Sequence, residues 1–308
     1  MEHLTLTIPA GDVALTADRH GNPDNPPIVF LHGGGQTRHS WGRSAASLAA
    51  NGWSAITVDL RGHGDSGWSP DGRYGLDRFA ADVVAVADSL GRPPVLVGAS
   101  LGGIAALAAL RSRPDLAAAL VLVDVSPFLQ RAGTDRVRGF MAANAEAGFA
   151  DLDEAADSIA AYLPHRPRPT NLDGLRKNLR ERDGRWYWHW DPAFLRDDGY
   201  DDVDEGGVLD MPTLIAAAAG LRVPTLLVRG GSSDVLAIAD AARFLKLVPH
   251  AEYAKVGGAG HMVAGDDNAV FETVIVEFLG RRIGRRLRLF DEVRTTRAGR
   301  AEPLSGGA

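Results

Sequence analysis

Val95-Leu96-Val97-Gly98-Ala99-Ser100-Leu101-Gly102-Gly103 joins an apolar, β-branched run to the alanine-rich pattern from Ile104 to Leu110. The run reads as a buried strand and the pattern as a helix. The G-x-S-x-G between them is then a strand that reverses sharply into a helix. Such a turn throws its central residue out at the tip. Glycines stand on both sides because the backbone is strained there and the helix packs close to the strand. Ser100 therefore reads as a nucleophile.

Working outward, residues 28–31, 54–58, 95–97 and 120–123 are short apolar runs separated by helical patterns over 41–50, 76–90 and 101–111. Two alternating segments, 4–8 and 13–17, precede them and read as an edge hairpin across Pro9-Ala10-Gly11-Asp12. The rhythm resumes with strands at 224–228 and 251–256 and helices at 237–247 and 269–279. Strand-helix alternation of this kind predicts an α/β fold: a mostly parallel eight-stranded sheet with helices on both faces. Between Pro127 and Leu221 the alternation stops. A proline-basic run at 164–169, the aromatic cluster 186–190 and an acidic, glycine-bearing stretch at 197–207 fill this interval. With helical patterns at 136–147 and 152–162, it reads as a mainly helical cap. The expected division is a core of 1–126 plus 222–280, a cap of 127–221, and a basic tail of 281–308.

The chain has 308 residues, 45% of them hydrophobic, and a formal charge of −6, enough for one large domain with an insertion. A mildly acidic balance gives no support for a nucleic-acid partner. The absence of cysteine removes disulfides and thiolate chemistry from consideration. No histidine or carboxylate spacing resembles a metal site, and no cofactor is implied. No apolar run approaches the ~20 residues of a membrane-spanning helix, and the N-terminus lacks signal-peptide features, so a cytoplasmic location is expected. The last 28 residues hold eight arginines against three acids, a balance of +5 that leaves −11 for the rest of a chain whose total is −6. Ile283, Leu287 and Phe290 would share one face of a helix there; a solvated tail is the plainer reading. Oligomeric state is not legible.

A serine hydroxyl needs a base to take its proton as it attacks, and the base needs a carboxylate to orient it and offset its charge. His261, in the glycine-rich loop 257–260 after the last strand, supplies the base. Asp234, just past the strand 224–228, is expected to supply the acid, with Asp124, after the strand 120–123, as the alternative. The oxyanion needs backbone donors. Leu101 N–H, at a helix N-terminus, is one; from His32-Gly33-Gly34-Gly35 the expected second is Gly34, with Gly33 and Gly35 as competitors. Gln36, Trp41, Phe128, Leu129 and Met262 adjoin these positions and are the expected apolar wall of a small-molecule substrate site. His32 and His63, in glycine-rich turns, read as structural hydrogen-bonding groups. The 186–190 cluster reads first as cap core and second as the lining of an aromatic cleft.

These motifs (His32-Gly33-Gly34-Gly35, Trp41, the run Asp59-Leu60-Arg61-Gly62-His63-Gly64-Asp65-Ser66, the Ser100 turn, Asp234 and Gly260-His261) resemble the α/β-hydrolase superfamily, in its branch with a helical cap. That branch includes esterases, lactonases, C–C bond hydrolases, epoxide hydrolases, haloalkane dehalogenases and cofactor-free haloperoxidases. Epoxide hydrolases and dehalogenases carry aspartate where this chain has Ser100, which argues against both. The resemblance implies a serine hydrolase with a Ser-His-Asp triad, acting through an acyl-enzyme on a small apolar ester or lactone. A C–C hydrolase or perhydrolase with the same triad, and a slowly turning-over ligand sensor, are the alternatives.

Overall fold

The structure, a computed structural model, describes residues 3–164, 166–170, 172–196, 210–261, 263 and 268–283. Its strands are β1 (Leu4–Ala10), β2 (Val13–His20), β3 (Pro27–Leu31), β4 (Ser54–Val58), β5 (Val95–Ala99), β6 (Ala119–Val123), β7 (Leu179–Arg182), β8 (Arg185–Trp188), β9 (Thr225–Gly230) and β10 (Glu252–Val256). The helices are α1 (Gly42–Ala50), α2 (Leu76–Ser89), α3 (Leu101–Ser112), α4 (Arg131–Ala142), α5 (Leu152–Tyr162), α6 (Met211–Ala219), α7 (Ile238–Leu247) and α8 (Asn268–Arg282).

Eight strands form one sheet in the order β1-β2-β4-β3-β5-β6-β9-β10. Its β1–β2 and β2–β4 pairings are antiparallel and the remaining pairings parallel. Strands β3, β5 and β6 are apolar at every position because both faces of the sheet are covered. In β3, Ile28 and Phe30 pack under α1 and α8 with Trp41, Phe271 and Phe278. Val29 and Leu31, on the opposite face, pack with α2, α3, α6 and α7 through Phe79, Ile104, Leu214 and Phe244. The loops that follow β3, β5, β6, β9 and β10 all leave the same end of the sheet, where open α/β folds bind ligands.

The interval between β6 and β9 is mainly helical, with α4, α5 and α6, and it also carries a β-hairpin that the sequence reading did not place. Residues 186–188 of the aromatic cluster belong to β8, which pairs antiparallel with β7 through Arg182↔Arg185. Asp183 and Gly184 both take positive φ, 53° and 73°, as a two-residue hairpin turn requires. Asp-Gly between alternating strands is the sequence signal for this turn. The hairpin closes a small separate core of Phe149, Leu152, Ala155, Ala156, Leu175 and Leu179, flanked by Trp186 and Trp188. Helix α6, inside the expected cap interval, instead packs its Leu214, Ala217 and Ala218 into the main core beside α3.

The exit of the hairpin is tied to the loop after β4. Gly64 N–H donates to His189 O at 2.7 Å, and Asp191 N–H donates to Gly62 O at 2.8 Å. The Tyr74 hydroxyl donates to Asp191 Oδ2 at 2.6 Å. The acidic stretch 197–207 and the tail beyond Ile283 lie outside the described residues.

Candidate active site

Ser100 sits between β5 and α3 with φ 45° and ψ −117°, a conformation that costs energy in any L-residue and persists only where packing imposes it. The packing is visible in its flanking glycines. A Cβ on Gly102 would stand 2.4 Å from Leu31 O, and one on Gly98 would stand 2.5 Å from Gly102 O. Ser100 N–H donates to Val123 O at 3.3 Å, and Gly102 N–H to His32 O at 3.1 Å, so the turn is pinned to the strands on either side.

His261 and Ser100 line the same cavity. Its Nδ1 lies 2.7 Å from Oδ2 of Asp124. The buried Asp124 carboxylate also accepts Gly230 N–H on Oδ1 at 2.9 Å and the Ser233 hydroxyl on Oδ2 at 2.5 Å. Asp124 follows β6 directly, has φ 52°, and donates its own N–H to Val228 O at 2.7 Å. Asp234 does not occupy this place. It is exposed, and its Oδ2 pairs with Nη2 of Arg136 on α4 at 2.7 Å. The physical reason lies in the β9 loop. That loop turns Ser233 inward as a donor to Asp124, while Ser233 Oγ also accepts the N–H groups of Val235 and Leu236. The next residue, Asp234, therefore points to the cap and solvent.

The three glycines after His32 have different partners. Gly33 N–H donates to Gln36 Oε1 at 3.1 Å and Gly35 N–H to His63 Nε2 at 3.1 Å. At the start of α3, Gly102 N–H is taken by His32 O, and Gly103 and Ile104 N–H by Ser100 O. Among the described residues, Gly34 and Leu101 are the positions on these two segments whose N–H groups have no such partner. Both segments meet at Ser100: a Cβ on Gly33 would stand 3.4 Å from Ser100 Cβ.

His32 and His63 are buried and structural. His32 Nδ1 donates to Gly33 O while Nε2 accepts Leu60 N–H; His63 Nδ1 donates to Arg61 O while Nε2 accepts Gly35 N–H. Burial pushes His32 down to about 4, and burial together with the neighbouring His32 pushes His63 down to about 3, so both are neutral near pH 7. Behind them, Arg38 bridges Asp18, Asp59 and Asp65. Burial opposes its charge, but the three carboxylates outweigh it and raise its pKa.

The cavity above Ser100 encloses about 250 Å³. Gln36 and Trp41 line it, as expected from sequence. Phe128 and Leu129 do not. Phe128 lies instead under the Arg243 guanidinium, 3.9 Å from its ring centre, because the Ser126 side chain accepts Phe128 N–H and closes the chain into a turn at the root of the insertion. Met262 lies outside the described residues. Much of the wall comes from the insertion: Phe140 and Met141 of α4, Tyr162 of α5, Asn178, and Trp188 and Trp190 of the hairpin. Tyr162 stacks on Phe140 at 4.1 Å, and Trp188 meets Phe140 edge-on at 5.6 Å. Sequence position could not reveal these residues, since none adjoins a catalytic motif; the aromatic density of 186–190 was the available signal. Apart from His261, none of the described lining residues is a histidine, an acid, a lysine or an arginine.

A strand-turn-helix elbow carrying serine, a histidine after the last strand and a buried acid on an eight-stranded, mostly parallel sheet define a class of enzyme scaffolds. The sequence profile of the alpha/beta hydrolase fold matches residues 26–267, and the chain belongs to that family. Esterase Rv0045c of Mycobacterium tuberculosis is 35% identical over 272 residues, covering 85% of each chain. Its solved structure superposes with a TM-score of 0.71 at 28% identity, covering 90% of this chain and 92% of that one. The sn-1-specific diacylglycerol lipase ABHD11 of Mus musculus is 31% identical, covering 84% of this chain and 82% of its own. The structure of E-2-(acetamidomethylene)succinate hydrolase shares the fold, with a TM-score of 0.78 at 24% identity over 90% of this chain and 99% of that one.

Proposed function

We propose that the protein is a cofactor-independent serine hydrolase that cleaves an uncharged, largely apolar carboxylic ester or lactone of small to medium size. The observation that carries this reading is the contact of His261 Nδ1 with the buried Asp124 carboxylate, in the cavity that Ser100 also lines. In the proposed cycle His261 takes the Ser100 proton as Oγ attacks the substrate carbonyl. Asp124 holds the resulting imidazolium, and the Gly34 and Leu101 N–H groups receive the oxyanion. The tetrahedral intermediate collapses, the alcohol leaves with the proton from His261, and an acyl-enzyme remains on Ser100. Water activated by the same histidine then releases the acid.

The wall chemistry supports the substrate class. Binding a carboxylate-bearing substrate in an apolar cleft calls for a cation to offset its desolvation. Among the described lining residues there is no lysine or arginine. The stretch 197–209 contains none either. Relatives named for dicarboxylate substrates therefore share the fold while differing in what such a cavity favours. At about 250 Å³ the cavity is at the small end of ligand sites, which favours short and medium acyl chains.

The test is hydrolysis of p-nitrophenyl esters of increasing chain length by the wild type and Ser100→Ala. Turnover that peaks at short or medium chains and falls by about 10³-fold or more in the variant is expected. Equal rates for the two proteins would refute the serine mechanism.

A further inference from the structure

The oxygen of Asp124 that meets His261 has a second claimant. Oδ2 lies 2.7 Å from His261 Nδ1 and also accepts the Ser233 hydroxyl at 2.5 Å. That hydroxyl is committed. Its own oxygen accepts Val235 N–H at 3.2 Å and Leu236 N–H at 3.1 Å, which fills both lone pairs and leaves the single proton to Asp124.

The loop that presents Ser233 is held on two sides. The buried Arg229 side chain donates to the carbonyls of Leu236 at 2.7 Å and of Gly231 and Ser233 at 3.3 Å. Gly231 N–H donates to Val256 O at 2.7 Å and Ser232 N–H to Ala259 O at 2.9 Å, so the segment is also tied to the loop that leads into His261. Besides Arg229, the ionisable side chains packed around this loop are Asp234, Arg136 and Tyr162. Asp234 pairs with Arg136 at 2.7 Å, and the Arg136 guanidinium lies 5.0 Å from the Tyr162 ring centre. Ser233 itself does not line the cavity.

Two donors on one oxygen compete. A carboxylate oxygen that accepts a hydroxyl gives part of its charge to that bond and has less to offer an imidazolium. We propose that Ser233 is a positioning residue of the active site: its hydroxyl aims Asp124 Oδ2 at His261 and, by sharing that oxygen, keeps the imidazolium from being held so tightly that His261 is lost as a base. The proposal rests on the serine-hydrolase reading for the reaction it serves. Ser233 acts through Asp124 and takes no part in the acyl-transfer steps.

The experiment is the pH dependence of kcat/KM for p-nitrophenyl butyrate in the wild type, Ser233→Ala and Ser233→Thr. In Ser233→Ala the oxygen is left to His261, which then keeps its proton to higher pH. The acid limb should move up by about 0.5 unit or more. Turnover should fall by about tenfold, the effect of one lost hydrogen bond to a charged group. Ser233→Thr restores the hydroxyl and should bring the limb back toward its wild-type place. A merely structural serine predicts a lower kcat with the limb in place; that result, or a limb displaced to lower pH, would overturn the proposal. The same comparison is made without turnover. The His261 imidazole Cε1–H signal, assigned by its loss in His261→Gln, is titrated by NMR in Ser100→Ala and in the Ser100→Ala, Ser233→Ala double variant. Its midpoint should rise by the same amount, and an unmoved midpoint would overturn the proposal as well. If Ser233→Ala does not fold, Ser233→Cys, a weaker donor of similar size, replaces it in both measurements with the same sign expected. Failure of the hydrolase reading looks different: no ester turns over, while the histidine titration still decides the role of Ser233.

Discussion

The Asp124 carboxylate stands 2.7 Å from Nδ1 of His261 and is held there by Gly230 N–H and the Ser233 hydroxyl. Three donors on one buried carboxylate fix its direction. Replacing it by asparagine preserves the shape and removes the carboxylate that the proposed cycle sets against the imidazolium. Asp124→Asn is expected to lower kcat by about 10³- to 10⁴-fold, as loss of a triad acid does. Asp234→Asn, which breaks only an exposed pair with Arg136, should stay within about threefold, in line with the small worth of surface ion pairs. Steady-state kinetics of the two variants side by side decide which aspartate serves His261.

Acid should destabilise the fold before the carboxylates titrate. His32 and His63 are buried as neutral rings, pushed down to about 4 and about 3, while in the unfolded chain they take a proton near 6.5. The unfolded state therefore binds more protons below pH 6.5. Their contribution is complete above that pH and drains away as pH falls toward about 4. Melting temperature should decline steadily over that window, and the decline should be shallower in His63→Gln. A flat profile down to about pH 5 would contradict neutral burial of these rings.

Arg38 pairs with Asp18, Asp59 and Asp65, and its side chain is almost wholly buried; Arg180 also reaches the half-exposed Asp65 at 3.1 Å. Arg38→Leu would strand buried Asp18 and Asp59 without their partner. A loss of about 3–5 kcal/mol in unfolding free energy is expected, since removing one member of a buried pair leaves an uncompensated charge. Urea unfolding of the variant measures it; a loss below about 1 kcal/mol would mean that the cluster is solvated like a surface pair.

The elbow has no room for a methyl group. On Gly102 it would meet Leu31 O at 2.4 Å, so Gly102→Ala must displace α3 or β3. A cost of about 1–3 kcal/mol from overpacking is expected, together with reduced kcat, because β3 leads into the Gly34 segment. Gly139→Ala on α4 is the control, since nothing lies within 4 Å of its added Cβ. Calorimetry should show a lower Tm for the first variant and an unchanged or slightly higher one for the second.

The sheet and the elbow were legible because they rest on local signals: period, apolar runs covered on both faces, and glycines where a Cβ collides. The strand and helix intervals around Ser100 match the structure to within a residue or two. The choice between Asp234 and Asp124 turned on a tertiary detail, the inward turn of Ser233 across the β6–β9 pair, which spacing along the chain does not encode. Position 124 did offer a clue, since aspartate tolerates the positive φ that ends β6 there. The hairpin β7–β8 was announced by Asp183-Gly184 but obscured by the helical patterns before it. The cavity wall was the least legible part. Its members, such as Met141, Tyr162 and Trp188, come together only when α4, α5 and the hairpin fold over the sheet.

If Ser100 is a nucleophile activated by His261 and Asp124, it should react with a fluorophosphonate, and intact-mass analysis followed by peptide mapping reads the adduct. A single adduct on Ser100 is expected in the wild type and in Asp234→Asn, none in Ser100→Ala, and strongly slowed labelling in Asp124→Asn. Labelling at another residue, or labelling that survives Ser100→Ala at the wild-type rate, would rule this activation out.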